Sequence, residues 1–145
     1  AWTSQPWKTQ YWVREVMNKM YKNHIRGLGG NDDCGQMAAW YLFGAMGFYP
    51  VCPGTDQYVL GAPYVPYLKL SLANGKSFEI KAPEVSDKNR YVKSVLLNGK
   101  PYTKTYITHA DLVNGGTLEF VMSAKPNKKR GLAISDKPYS LTNGE

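Results

Sequence analysis

The stretch GQMAAWYLFGAMGFYP, residues 35–50, is apolar on every side of any helix it could form. Over 35–46, Met37, Ala38, Ala39, Trp40, Tyr41, Leu42, Phe43, Ala45 and Met46 leave no polar face, and a helix of that kind has to be enclosed by other structure all round. Gly47 supplies a stop and Pro50 forbids continuation. Just upstream, YWVREVMNKMYKNHI (11–25) predicts an amphipathic helix of about four turns, preceded by Pro6 and ended near Gly27. Trp12, Val13, Val16, Met17, Met20 and Tyr21 share its apolar stripe, read as core packing, while Arg14, Glu15, Lys19, Lys22 and Asn23 fall opposite. Two helices cannot enclose one of themselves. The rest of a helical bundle is expected from outside this sequence, and an opening without Met, AWTSQPWKTQ, fits a chain cut from something longer.

Beyond Pro53 the period changes from helical to two. In YLKLSLANGKSFEIKA (67–82), Leu68, Leu70 and Leu72 alternate with polar residues up to Asn74-Gly75, and Phe78 and Ile80 alternate after it, which predicts a hairpin. A second Asn-Gly, 98–99, joins YVKSVLL to KPYTKTYI. THADL (108–112) predicts one helical turn, and GGTLEFVMS (115–123) a strand with Leu118, Phe120 and Met122 on one face. Residues 55–125 therefore read as an antiparallel sheet or half-sandwich, and 125–145 as an extended tail lying over a surface. The chain is expected to be α+β, with a helical part over 1–50 and an antiparallel, sandwich-like β part over 51–145.

Composition bounds the function without choosing it. With 145 residues, 43% hydrophobic and 20% charged, the chain is globular in character rather than disordered. Eleven Tyr and four Trp suit a core, a domain interface or a sugar-binding surface equally. The net charge of +7 is spread along the chain, and its densest run, KPNKKRG (125–131), reads as a solvated loop rather than a nucleic-acid patch. The longest apolar run, residues 37–49, is too short to cross a bilayer, so no membrane span is expected. Cys34 and Cys52 cannot build a zinc site alone, and a disulfide and two free thiols both remain open.

The chemistry concentrates in GGNDDCGQM, residues 29–37, where two carboxylates adjoin at the start of the apolar helix. Asp33 has two readings. It can cap the helix, with Gln36 reaching back as in a capping box, at a gain of about 1 kcal/mol. It can instead act as a general base toward water, since the helix dipole and free N–H groups favour a negative charge there. Gly27 reads as a helix stop, and Gly29 and Gly30 as positions where backbone comes close to whatever lies above the loop. Trp7 reads either as core or as a ring stacking on a sugar face. His24 is expected to serve carbonyls at the first helix end, His109 carries no assigned chemistry, and Glu79, Glu84, Asp87 and Glu119 read as solvated.

PWKTQYWVREVMNKMY (6–21), GLGGNDDCGQMAAWYLFGAMGFYPVCPGTDQYVLGAP (27–63) and HADLVNGGTLEFVMSAKPN (109–127) together resemble the C-terminal part of glycoside hydrolase family 92, the calcium-dependent α-mannosidases. The resemblance runs over most of residues 6–127, and the combination Gly30-Asn31-Asp32-Asp33-Cys34-Gly35-Gln36 is its most specific part. It implies two terminal helices of an incomplete (α/α)6 barrel followed by a β-sandwich-like segment. It also implies an inverting exo-α-mannosidase that removes α-1,2-linked mannose from glycans, outside the cytoplasm, in the periplasm or at the cell surface. On that pattern Asp33 is the general base, Asn31 helps to position water, and Asp32 has a supporting role. The family's acid is a Glu upstream of anything in this sequence, as are most groups associated with calcium. The expected partners are mannose-containing glycans and the remaining barrel and sandwich of the parent enzyme, the 145 residues alone being inactive. The competing reading is a non-catalytic carbohydrate-binding or domain-docking β module, which would not need the acidic loop.

Overall fold

The computed structural model describes residues 1–141. Its first helix, α1, runs from Pro6 to Met20, five residues earlier at each end than the periodicity predicts. Pro6 takes the first helical position, where a missing N–H costs nothing. Tyr21 leaves the helix in an extended conformation and bridges to Leu28. The intervening turn is closed by Lys22 N–H to Gly27 O and Gly27 N–H to His24 O, each at 2.8 Å. A Cβ on Gly27 would lie 1.8 Å from the Lys22 carbonyl oxygen, so only glycine fits the return. His24, expected to serve the helix end, instead accepts a hydrogen bond from the N–H of Arg26.

The face that α1 buries is also corrected. Met17 is buried as expected, but Trp12 is 61% exposed and Met20 47%, whereas Gln10 and Arg14 are each only 3% exposed. Polar groups on the β part explain this. Gln10 Oε1 accepts from the Val92 N–H at 3.0 Å, and the Arg14 guanidinium donates to Pro63 O at 2.7 Å while lying 4.5 Å over the Tyr64 ring. Glu15 adds an ion pair to Arg90 at 2.6 Å. Backbone donors and acceptors left over by the β part thus decide which side of α1 faces inward.

The second helix, α2, spans Gln36–Met46 and ends at Gly47, whose φ of +89° explains the glycine. It packs against α1 where Gly44 meets Met17 and Val13; a Cβ on Gly44 would come 3.2 Å from the Met17 sulfur. Of its own residues only Gly44 and Met46 are buried, and Leu42 is 62% exposed. The apolar helix is therefore enclosed on one side and open on the other.

Eight strands follow: β1 (Phe48–Tyr49), β2 (Gln57–Leu60), β3 (Tyr67–Ser71), β4 (Ser77–Lys81), β5 (Tyr91–Leu97), β6 (Lys100–Pro101), β7 (Tyr106–Thr108) and β8 (Gly116–Ser123). β1, β2 and β7 form a three-stranded sheet, and β3-β4-β8-β5-β6 a five-stranded one. The Asn74-Gly75 hairpin and the Asn98-Gly99 turn stand where predicted, with Asn98 at φ +51° and Gly99 at +76°. Helix α3 (His109–Val113) starts at a capping box between Thr108 and Asp111. The sheet is not wholly antiparallel, because β8 inserts between β4 and β5. β4 and β5 point in opposite directions, so β8, antiparallel to β5, runs parallel to β4. Phe48, Leu60, Phe78, Val95, Ile107, Leu118 and Phe120 from both sheets share one buried cluster, which Met46 joins from α2.

The tail, expected to lie extended over a surface, is described through residue 141 and includes a 3-10 turn over Ile134–Asp136, the expectation for 142–145 falling outside the described residues. It is held where Trp2 donates to Tyr139 O at 2.8 Å and Thr105 Oγ1 to Asp136 O at 2.7 Å. Both cysteines are free thiols. Of the acidic residues read as solvated, Glu79 pairs with Lys81 at 2.9 Å, and Asp87 lies 3.9 Å from Arg14.

Candidate active site

The acidic loop sits at the end of the helical hairpin where α1 stops and α2 begins. Asn31, Asp32 and Asp33 are all exposed. They lead into a short 3-10 turn over Asp33–Gly35, in which Cys34 (φ +54°) and Gly35 (φ +77°) are both left-handed. For the non-glycine Cys34 that conformation costs roughly 1–2 kcal/mol. It bends the chain between the two aspartates and the start of α2 at Gln36.

The bend separates the two carboxylates by task. Asp32, not Asp33, serves the helix: its Oδ1 accepts the Ala38 N–H at 3.0 Å. The capping box expected between Asp33 and Gln36 does not form, and Gln36 meets Asp33 only through the backbone. Asp33 keeps an exposed carboxylate with no hydrogen-bond or ion-pair partner among the described residues. One aspartate holds the loop and the other is left free. Asp32→Ala is therefore expected to cost about 1 kcal/mol of stability, seen as a lower thermal midpoint, as for other lost helix caps.

Tyr21 ties this loop to α1, a role the sequence reading missed by assigning the residue to an apolar stripe. Its hydroxyl donates to Met37 O at 3.1 Å, and its ring stacks on Trp40 with centroids 5.7 Å apart. Burial first, then the nearby Asp32 charge, raises the phenol's pKa above its ordinary value. Tyr21, Lys22, Leu28, Ala38, Tyr41 and Leu42 line an open cavity of about 420 Å³ beside the acidic loop. Gly29 fits closely against Met20, where a Cβ would meet Cε at 2.8 Å, but nothing stands within 4 Å of a Cβ on Gly30.

Trp7 does not join this group. It lies half-buried in the first turn of α1, and thirteen helical residues, about 20 Å of axis, separate it from the end that carries the loop. No group of three or more His, Cys, Asp or Glu residues that could hold a metal occurs among the described residues. The chemistry available at the loop is one free carboxylate, an adjacent amide at Asn31, and an open groove walled by Tyr21, Tyr41, apolar side chains, Lys22 and Asn23.

The sequence model for the glycosyl hydrolase family 92 catalytic domain matches residues 1–124, which take in α1, α2, α3 and all eight strands through β8. The chain belongs to glycoside hydrolase family 92. Among solved structures, this family 92 chain superposes on an inverting mannosidase of the family from Bacteroides thetaiotaomicron with a TM-score of 0.89 and 45% identity, covering 95% of this chain and 19% of that one. A second α-mannosidase of the family from the same organism gives 0.91 and 45% over the same shares, 95% and 19%. That second enzyme is also known in complex with mannoimidazole. An uncharacterized secreted glycosidase of Arthroderma benhamiae is 34% identical over 127 residues, 86% of this chain and 16% of that protein. The family 92 chain thus spans less than a fifth of the length of these relatives. No helix among the described residues is long and apolar enough to cross a membrane.

Proposed function

We propose that this family 92 chain supplies the closing helical hairpin and adjoining β segment of an inverting exo-α-mannosidase, with Asp33 as the general base. The observation that carries the reading is the division of labour in the loop. Asp32 is committed to Ala38, while Asp33 projects an unpartnered carboxylate into the open. In an inverting hydrolysis, that carboxylate accepts a proton from water as the water oxygen bonds to the anomeric carbon. A carboxylic acid on the opposite side of the ring protonates the departing glycosidic oxygen, roughly 6.5–9.5 Å from the base. Asp32 cannot be that acid, because neighbouring side chains on one loop do not flank a sugar ring from opposite sides. The acid is assigned to polypeptide outside these 145 residues, in keeping with relatives five times as long. Asn31, beside the base, positions the attacking water through its amide.

The (α/α)6 barrel is part of the same reading. α1 and α2 are one antiparallel pair of such a barrel, and the open face of α2 around Leu42 is where neighbouring helices close over it. The substrate class is α-linked mannose, with the 1,2-linkage expected from family resemblance, and the setting is extracytoplasmic, the fungal relative being named as secreted. Calcium is expected on the same ground. The described residues offer no cluster that would hold it alone.

The test is proton NMR of released sugar. A longer enzyme carrying this chain is expected to yield β-mannose first from an α-mannoside, before mutarotation, and the 145-residue chain none. α-Mannose as the first product, or release by the short chain, overturns the proposal.

A further inference from the structure

A second groove, unconnected with the acidic loop, opens on the β part. It measures about 250 Å³ and is lined by Lys93, Tyr102, Thr103, Asn127, Lys129 and Arg130 together with parts of β5 and β6. No acidic residue lines it. The positive run 125–131 is thus only partly the solvated loop expected of it, since its last cations turn onto the sheet.

The groove is held in shape by specific bonds. β5 carries an irregularity between Val92 and Ser94, which leaves Lys93 outside the ladder with β8. Such a bulge re-aims a side chain out of the regular alternation, and Lys93 and Ser94 are accordingly exposed in succession. Asn127 fastens the facing loop, donating from Nδ2 to Lys93 O at 2.7 Å and accepting the Lys129 N–H at 2.9 Å. Arg130 is anchored through Nη2 to Lys104 O at 2.6 Å and Tyr102 O at 3.4 Å. Its Nε is buried with no partner among the described residues, a donor left in want of an acceptor. Asp136 influences the Arg130 guanidinium, but its Oδ1 already accepts from Thr103 Oγ1 at 2.7 Å.

We propose that this groove binds a single anionic ester, a sulfate or phosphate carried on a glycan, between Lys93, Lys129 and Arg130. Guanidinium and ammonium donors suit the oxygens of a tetrahedral ester, and Arg is the side chain most used where such groups are recognised. A nucleic acid calls for cations along an extended backbone track, whereas these converge on one short groove. A sugar is the carrier that fits a glycosidase family, and the site would hold a charged branch of the polysaccharide while hydrolysis proceeds elsewhere. The inference does not depend on the role of Asp33.

The experiment is a titration of the labelled 145-residue protein, followed by amide NMR, with inorganic sulfate, inorganic phosphate, mannose 6-sulfate, mannose 6-phosphate, mannose and a short single-stranded oligonucleotide. Saturable shifts confined to residues 93–94, 102–103 and 127–130 are expected with the esters and absent with mannose. The variant Lys93→Glu/Lys129→Glu, which changes exposed side chains only, is expected to bind at least about tenfold more weakly. Sulfate and phosphate sources separate by pH: phosphate-ester binding strengthens as its second proton leaves near pH 6, and sulfate-ester binding stays level. Shifts scattered over all lysines, equal binding of mannose, unchanged affinity in the variant, or tighter binding of the oligonucleotide than of the esters would overturn the proposal.

Discussion

Asp33→Asn, made in an enzyme that carries this chain, is expected to lower kcat by about 10²- to 10⁴-fold, the range over which a positioned general base contributes. The same substitution should leave the thermal midpoint where it was, because the carboxylate is exposed and touches no partner whose bond would be lost. The two readouts together distinguish Asp33 from its neighbour. Asp32→Ala removes the acceptor from the Ala38 N–H and should appear first as reduced stability. KM is informative as well: a base acts on water in the transition state, so kcat should fall while KM changes little. Steady-state kinetics beside a melting curve checks all of this, and near-normal turnover in Asp33→Asn would remove the residue from the mechanism.

The second large effect concerns the fold beneath the site. Phe120 is 1% exposed on β8, the strand that lies between β4 and β5, and it belongs to the cluster shared by both sheets. Phe120→Ala removes a ring that the surrounding side chains cannot replace, at an expected cost of about 3–5 kcal/mol. For a chain of this size that corresponds to a fall of roughly 10 °C or more in the thermal midpoint. Native stability is commonly only about 5–15 kcal/mol, so a large share of it would go. Urea denaturation should show a lower midpoint with an unchanged slope. A shift of only a degree or two would mean that the two sheets do not share one cooperative core.

What could be read from the sequence was local. The two Asn-Gly turns, the one-turn helix begun by Thr108 and Asp111, and the alternation of Leu118, Phe120 and Met122 are each set by residues a few positions apart. The features that escaped depend on distant partners. Arg14 and Gln10 are buried because Pro63 offers a carbonyl 49 residues away and Val92 an N–H 82 residues away, which helical periodicity cannot foresee. The parallel pairing of β4 with β8 escaped because it follows from β8 entering between two strands already opposed in direction. In the acidic loop the pattern Asn31-Asp32-Asp33 marked the right place but gave the cap to the wrong aspartate. A capping box presumes that the helix starts directly after its cap, whereas here two left-handed residues, Cys34 and Gly35, intervene and pass that task back to Asp32. Gly35 could have signalled such a bend. Cys34, being no glycine, gave no sign of one.

The most direct test of Asp33 as base is chemical rescue. In the Asp33→Gly variant of the longer enzyme, given an aryl α-mannoside, the shortened side chain leaves room for azide to replace the activated water. Azide would bond to the anomeric carbon as the aryloxide leaves from the other face. β-Mannosyl azide, formed at a rate that rises with azide while hydrolysis without azide stays low, is the predicted product. An α-configured azide, or hydrolysis at the undiminished rate without any azide, would contradict the account.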